Sequence, residues 1–464
     1  MNRKLIGNRA FYAMVLAVTI PIVIQNGITS FVSLLDNVMV GRIGTEQMSG
    51  VAIANQLIMI FDLGIFGGLS GAGIFTAQFF GKSDIEGVRN TFRIKLYIGS
   101  VVTVIAILVF LFFGRPLVYL FLQGKADVGN IDSTADYALS YLRIMLFSFI
   151  PFTLTQIYAS TLKETGETVL PMKAAVAAVL TNLFLNYLLI FGKLGLPALE
   201  GNGAAIATVV SRFVELSIVV FSTHKASERY GFPANLYRTL KVPPALLGNI
   251  LKKGLPLLAN ELLWSSGMAI LNQSYSLRGL SVVAACNITS TVSNLFSVVL
   301  MAMGNAVAII VGQQLGSGDM ERARDTDRKL IAFSVVVACI VGVILAAASP
   351  YIPLIYKTET EVRELARRFL LVSAAVMPIG AFSMTSYFTL RSGGKTIITF
   401  LFDCAYTWVL TVPLAFSLTH FTALPIVTVY TIVQLSNIVK CVIGYILVKK
   451  GIWIQDIVSA HSEV

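Results

Sequence analysis

The sequence predicts an all-α polytopic membrane protein, with twelve transmembrane helices in two six-helix lobes related by a pseudo-twofold axis along the membrane normal. Three observations carry that prediction. Hydrophobic residues make up 56% of the 464 residues and charged residues only 13%, more apolar surface than a soluble domain of this length can hide. The apolar residues come in twelve long continuous stretches, unlike the short alternating segments of a barrel. The chain also repeats itself. Pro21 in VTIPIVIQN returns as Pro256 in KGLPLLANE, and Gln78 in AQFFGKSD returns as Gln313 in GQQLGSGD, both at one identical offset. LKETGET, from Leu162, returns as LRSGGKT, from Leu390, at a slightly shorter one. A nearly constant offset marks two copies of one structural unit. In membranes such duplications place a substrate path between the halves.

In chain order the spans fall near 11–40, 50–80, 95–114, 137–161, 172–192 and 203–222, then 254–276, 281–313, 330–348, 367–390, 396–418 and 421–448. Each approaches or reaches the roughly 20 residues that cross hydrocarbon as a helix. Six spans per copy is an even number, so the second copy enters the membrane in the orientation of the first. The expected organisation is an N-terminal lobe over 1–222, a linker over 223–253, a C-terminal lobe over 254–448 and a tail over 449–464.

A net charge of +11 invites a nucleic-acid reading, and its distribution rejects it. With the N-terminus in the cytoplasm, about two thirds of the Lys and Arg fall on that side, the bias that fixes membrane orientation. Both termini are therefore expected in the cytoplasm of a cell inner membrane. The richest stretch is the linker, with Lys225, Arg229, Arg238, Lys241, Lys252 and Lys253. Topology accounts for that basicity. The first span is too long for a cleavable signal peptide. Cys286, Cys339, Cys404 and Cys441 all lie in spans and read as buried fillers. His224, His420 and His461 are scattered, which makes a metal-binding cluster of histidines improbable. The glycine runs GIFGGLSGAG and GNGAAIAT follow no strand and read as close helix packing. No GxxxxGK[ST] loop is present, so nucleotide is expected neither as partner nor as energy source.

LLDNVMVGRIG after the first span, AQFFGKSD after the second and LKETGETVLPM after the fourth resemble the multidrug and toxic compound extrusion (MATE) transporters. So do NLFLNYLLIFGKLGLPALEGNGAAIAT and LRSGGKT. The similarity covers nearly the whole chain. It implies a monomeric carrier and no enzyme, exporting amphipathic, often cationic small molecules through alternating access. The driving ion would be H+ or Na+, with no cofactor. The rival readings are a lipid-linked sugar flippase of the wider superfamily and, from another class, a channel or membrane receptor. A flippase should line its cavity with several cations for a diphosphate, and the spans hold few.

Ionisable groups inside a span are costly and need a reason. Asp36 lies about five residues inside the outer end of the first span, roughly 8 Å deep. Asn186, near the end of the fifth span, and Thr208, near the start of the sixth, fall at similar depth, with Asn182 one turn below Asn186. One carboxylate among amide and hydroxyl oxygens suits a hard cation such as Na+ at Asp36, or a carboxyl that gains and loses a proton. The resemblance implies the coupling role for Asp36, with Asn182 and Thr208 at polar positions of the same site. Asn186 stands where many members carry an aspartate, which removes one charge.

Glu261 follows Pro256 at the spacing by which Asn26, beside Gln25, follows Pro21. These residues, with Asp62 in mid-span and Asp403 early in the eleventh span, are candidates for substrate or a second cation. A carboxylate at Asp62 could equally bond nearby backbone. Arg143, Arg212 and Lys440 read as structural, with Glu215 a partner for Arg212. Pro21 and Pro256 each remove a helix hydrogen bond and favour a kink.

Overall fold

The computed structural model describes residues 5–41, 44–122, 131–195, 197–356 and 358–459, with the side chains at 33, 34, 37, 38 and 45 outside that description. His461 lies outside it too. Twelve long helices occupy the predicted places. They are α1 Arg9–Val40, α2 Thr45–Gly81, α3 Ile85–Leu122, α4 Ile131–Glu164, α5 Val169–Phe191 and α6 Glu200–Lys225. The second set is α7 Pro244–Ser276, α8 Leu280–Gly316, α9 Met320–Ala348, α10 Thr360–Ser392, α11 Thr396–Phe421 and α12 Ile426–Lys450. Eleven are long and apolar enough to cross a membrane. α7, which carries Lys252, Lys253 and Glu261, is the exception.

Most helices overrun the apolar stretches. The span read at 95–114 lies inside α3, Ile85–Leu122. Hydropathy reports the part of a helix that meets hydrocarbon, whereas hydrogen bonding continues into the polar zone. The same overrun shortens the stretch between the two sets of helices. α6 runs to Lys225, a helical turn covers Ser227–Tyr230, and α7 begins at Pro244, well before the expected 254. A proline suits a first helical position, where its missing N–H is no loss.

Two compact units emerge. One holds residues 24–76 and 85–251, and the other holds 1–23, 77–84 and 252–464. The segment up to Val23 and the α2–α3 turn thus pack with the second half of the sequence, a division that differs from a cut at the linker. The boundary within α1 falls between Val23 and Ile24, just after Pro21.

In the first of these units α5 and α6 form a tight hairpin. Gly192 ends α5 in the left-handed region at φ +63°, where a glycine carries no steric penalty. A Cβ on Gly203 would meet the backbone of Leu189 at 2.7 Å, so only glycine lets α6 lie this close. The linker is held by α3. Arg89 donates to the carbonyls of Gly231 and Phe232, Arg93 to that of Leu236, and Tyr97 to that of Leu240. Deeper in α3, Lys95 is fully buried and donates to Ser160, Thr161 and the Glu164 carboxylate of α4. Gly73 of α2 makes room for that carboxylate, since a Cβ there would collide with Glu164 Oε1.

In the other unit the two repeated loop motifs meet. A Cβ on Gly81 would overlap the carbonyl oxygen of Gln313, and one on Gly316 would overlap that of Gln78. The Gln78 side chain, fully buried, donates to the carbonyls of Ser392 and Gln455 and accepts from the Ile457 amide. The segment after α12 is therefore packed, with Trp453 and Val458 buried. Exposed apolar residues repeat as well. Val101, Ile105 and Leu108 on α3 match Val336, Ile340 and Val343 on α9, at the offset that relates Pro21 to Pro256. Such stripes suit acyl chains.

Candidate functional site

The four polar residues predicted at one depth come together. Asp36 is half-buried on α1, Asn182 and Asn186 are buried on α5, and Thr208 lies on α6. Asn186 Nδ2 donates to Asp36 Oδ1 at 2.6 Å and to Asn182 Oδ1 at 3.0 Å. The i, i+4 spacing on α5 stacks the two amides on one face. Thr208 Oγ1 donates to the Ala204 carbonyl one turn back, at 3.0 Å, and so accepts from Asn182 Nδ2 at 3.2 Å.

In that arrangement Asn182 Oδ1 confronts both Asp36 oxygens at 3.2 Å, acceptor against acceptor. Turned over, the Asn182 amide donates to both Asp36 oxygens at 3.2 Å, and its oxygen accepts from Thr208 Oγ1. The contacts favour this second orientation, which serves the Asp36 carboxylate. Asn186 Oδ1 is buried with no partner, a further hard oxygen for a cation. Tyr141 of α4, buried and bonded to Asn55 of α2, lies within electrostatic reach of Asp36. Sequence reasoning missed both, since neither was counted to the depth of Asp36.

Glu261 belongs to a second polar group on α7, α10, α11 and α12. Tyr387 donates to Glu261 Oε1 at 3.3 Å, and Asn260 Nδ2 donates to Tyr387 Oη at 3.3 Å and to Asp403 Oδ2 at 3.1 Å. Asp403 is ion-paired with Lys440, whose ammonium also lies over the rings of Phe402 and Tyr406 at 5.2 and 5.8 Å. Lys440 thus has an acid as its partner, and Asp403 a cation. α11 winds as π-helix over Leu401–Ala405 and Thr407–Thr411, which puts Asp403 in a widened turn. Such turns cluster at functional sites, and no sequence signal announced them.

The remaining candidates are dispersed. Asp62 feels the charge of Arg212, which pairs with Glu215 at 3.0 Å and lies over the Phe152 ring at 5.0 Å. Gln25 and Asn26 are half-buried on α1, and Gln25 Oε1 is enclosed without a partner. Pro21 and Pro256 sit inside α1 and α7.

The family model described as MatE matches residues 21–188 and 256–417. The probable multidrug resistance protein NorM of Thermotoga maritima is 23% identical over 96% of this chain and 94% of its own. The probable multidrug resistance protein YoeA of Bacillus subtilis is 25% identical over 89% of this chain and 88% of its own. Among solved structures, a MOP superfamily transporter from Pyrococcus furiosus superposes with a TM-score of 0.82 at 19% identity, over 96% of each chain. The MATE transporter VcmN of Vibrio cholerae gives 0.82 at 18% identity, over 95% of this chain and 97% of that one. At these identities the structures speak to the fold alone.

Proposed function

Because the chain belongs to the MatE family of multidrug efflux transporters, we propose that it is a secondary active exporter of amphipathic, cationic small molecules, coupled to inward H+ or Na+ at Asp36. One observation carries the coupling site. Among the described residues the Asp36 carboxylate meets the neutral amides of Asn186 and Asn182, and Asn182 in turn meets the Thr208 hydroxyl, so no fixed cation holds its charge. Loading Asp36 would turn the Asn182 amide and pass the change to Thr208 on α6. A cation can drive the cycle only by binding one facing state better than the other, and a site that rearranges on loading supplies that difference.

Cargo would enter from the cytoplasmic side, where both termini would lie, and leave outside, the protein acting as a monomer. Pro21, where α1 passes from one compact unit to the other, would be the bend that responds. The pairing of Lys440 with Asp403 speaks against a flippase, which needs cations free to bind a diphosphate.

The test is efflux of a fluorescent lipophilic cation from proteoliposomes, with sodium and proton gradients imposed separately. Efflux under one gradient, lost in Asp36→Asn, supports antiport at Asp36 and names the ion. Efflux unchanged by the substitution would move the coupling to Glu261 or Asp62. No efflux under either gradient would overturn the cargo.

A further inference from the structure

The second unit holds a carboxyl that the sites above do not use. Asp327 lies near the start of α9, among the basic residues Arg322, Arg324, Arg328 and Lys329 of its first turns, and is fully buried. Its Oδ1 is 2.5 Å from Thr389 Oγ1 of α10, and its Oδ2 is buried with no partner. Thr389 Oγ1 is also 2.9 Å from the carbonyl oxygen of Thr385, one turn back. A hydroxyl owns one proton and can donate it once. An ionised Asp327 would claim that proton, leave the Thr385 carbonyl with its helical bond alone and leave Oδ2 as a bare anionic oxygen in the core, a costly state. A protonated Asp327 removes the charge from the core, leaves Oδ2 a neutral oxygen and settles the hydroxyl's proton. The acid donates to Thr389 Oγ1, and Thr389 donates to the Thr385 carbonyl.

Among the described residues no cation forms an ion pair with Asp327. The charge that acts on Asp327 is that of Arg328, its half-exposed neighbour on α9. On α10, Arg391 lies over the Phe388 ring at 5.4 Å and exerts its field on Glu261. α8, also packed on α9, carries no titratable side chain but Cys286, toward its far end; α1 brings Tyr12 against Phe333 and Phe11 against Lys329, and the turn after α12 lies against Arg324. The first copy treats the same place differently. Thr161, the repeat partner of Thr389, bonds to Lys95, whose charge is met by Glu164. One copy closes the position with an ion pair, and the other leaves a lone acid.

We propose that Asp327 is a second proton-binding site, loaded in this conformation and discharged to water on the side of those basic residues when the ends of α9 and α10 are wetted during the cycle. The discharge breaks the acid O–H bond and passes the proton to water. It rests on the antiport reading; the bound proton does not. The test compares wild type, Asp327→Asn and Thr389→Val as purified full-length protein at neutral pH. In the infrared, wild type should show the carbonyl stretch of a dry protonated carboxyl, absent in Asp327→Asn and shifted in Thr389→Val. In proteoliposomes, Asp327→Asn should move one proton fewer per cargo. Superimposable spectra for wild type and Asp327→Asn, or an unchanged proton count, would overturn the proposal. Should wild type move no protons at all, the proposed discharge fails whatever ion drives export, and the infrared comparison alone decides the bound proton.

Discussion

Asn186→Asp is the substitution that loads most onto the Asp36 site. Asn186 Nδ2 sits 2.6 Å from Asp36 Oδ1. A carboxylate oxygen in its place would put two negative charges at that distance, a repulsion of about 6 kcal/mol at an effective dielectric constant of about 20. Asp36 is half-buried, so water screens part of this. Half of it is still a factor of about a hundred in an equilibrium. The pair can relieve it only by holding a proton or a cation between its oxygens, with Asn182 Oδ1 and Thr208 Oγ1 to complete a hard oxygen shell. Sodium should therefore stabilise the variant far more than wild type. A ligand at about 100 times its Kd contributes about 2.7 kcal/mol. The assay is thermal melting of both purified proteins at mildly alkaline pH, in sodium, potassium and choline chlorides at equal ionic strength. A variant that melts at one temperature in all three salts would refute the geometry assigned to Asp36 and Asn186.

Other substitutions test other parts. Glu164→Gln removes the countercharge of fully buried Lys95 and should cost about 3–5 kcal/mol, read as a lowered melting temperature; a variant that melts like wild type would show that the pair adds nothing. Lys440→Gln should destabilise by a similar amount by stranding Asp403, and adding Asp403→Asn should recover most of the loss. Equal stability of the single and double variants would deny the coupling between them. Pro21→Ala should slow gradient-driven efflux and leave melting intact, so wild-type efflux in that variant would remove Pro21 from the mechanism.

The part of the site that was legible in the sequence is the part that follows from counting along helices. Asp36, Asn182, Asn186 and Thr208 could be placed at one depth from the ends of their spans, because an α-helix rises a fixed distance per residue. The second polar group was legible only in pieces. Asp403 and Lys440 each stood out as charges in spans, yet their pairing joins two separate helices and exists only once those helices pack. Lys95 and Glu164 stand at the margins of apolar runs and read as loop or boundary residues, whereas the helices continue past them into the interior. Asp327 was hidden in the same way. It belongs to a charged run, DTDRK, that looks solvated, and only the packing of α10 buries one of its acids. The transfer of the segment up to Val23 to the unit of the second half left no mark on hydropathy, since α1 is one unbroken helix.

The two glycines that face each other's backbones bear on how such a chain came to exist. Gly81 rests on Gln313 and Gly316 on Gln78, and the two glycines stand at the same offset in the chain as the two glutamines. Residue i of one copy thus touches residue j of the other, and j touches i, the signature of an isologous contact across a twofold axis. Covalently this is one chain, but at that point it is a homodimer whose subunits have been fused. A contact of this kind works before fusion, because a single six-helix ancestor already carries both halves of it. After fusion each glycine is fixed by a backbone and not by a side chain, so the sequences around it can drift apart, as KSD and SGD have, without loosening the seam.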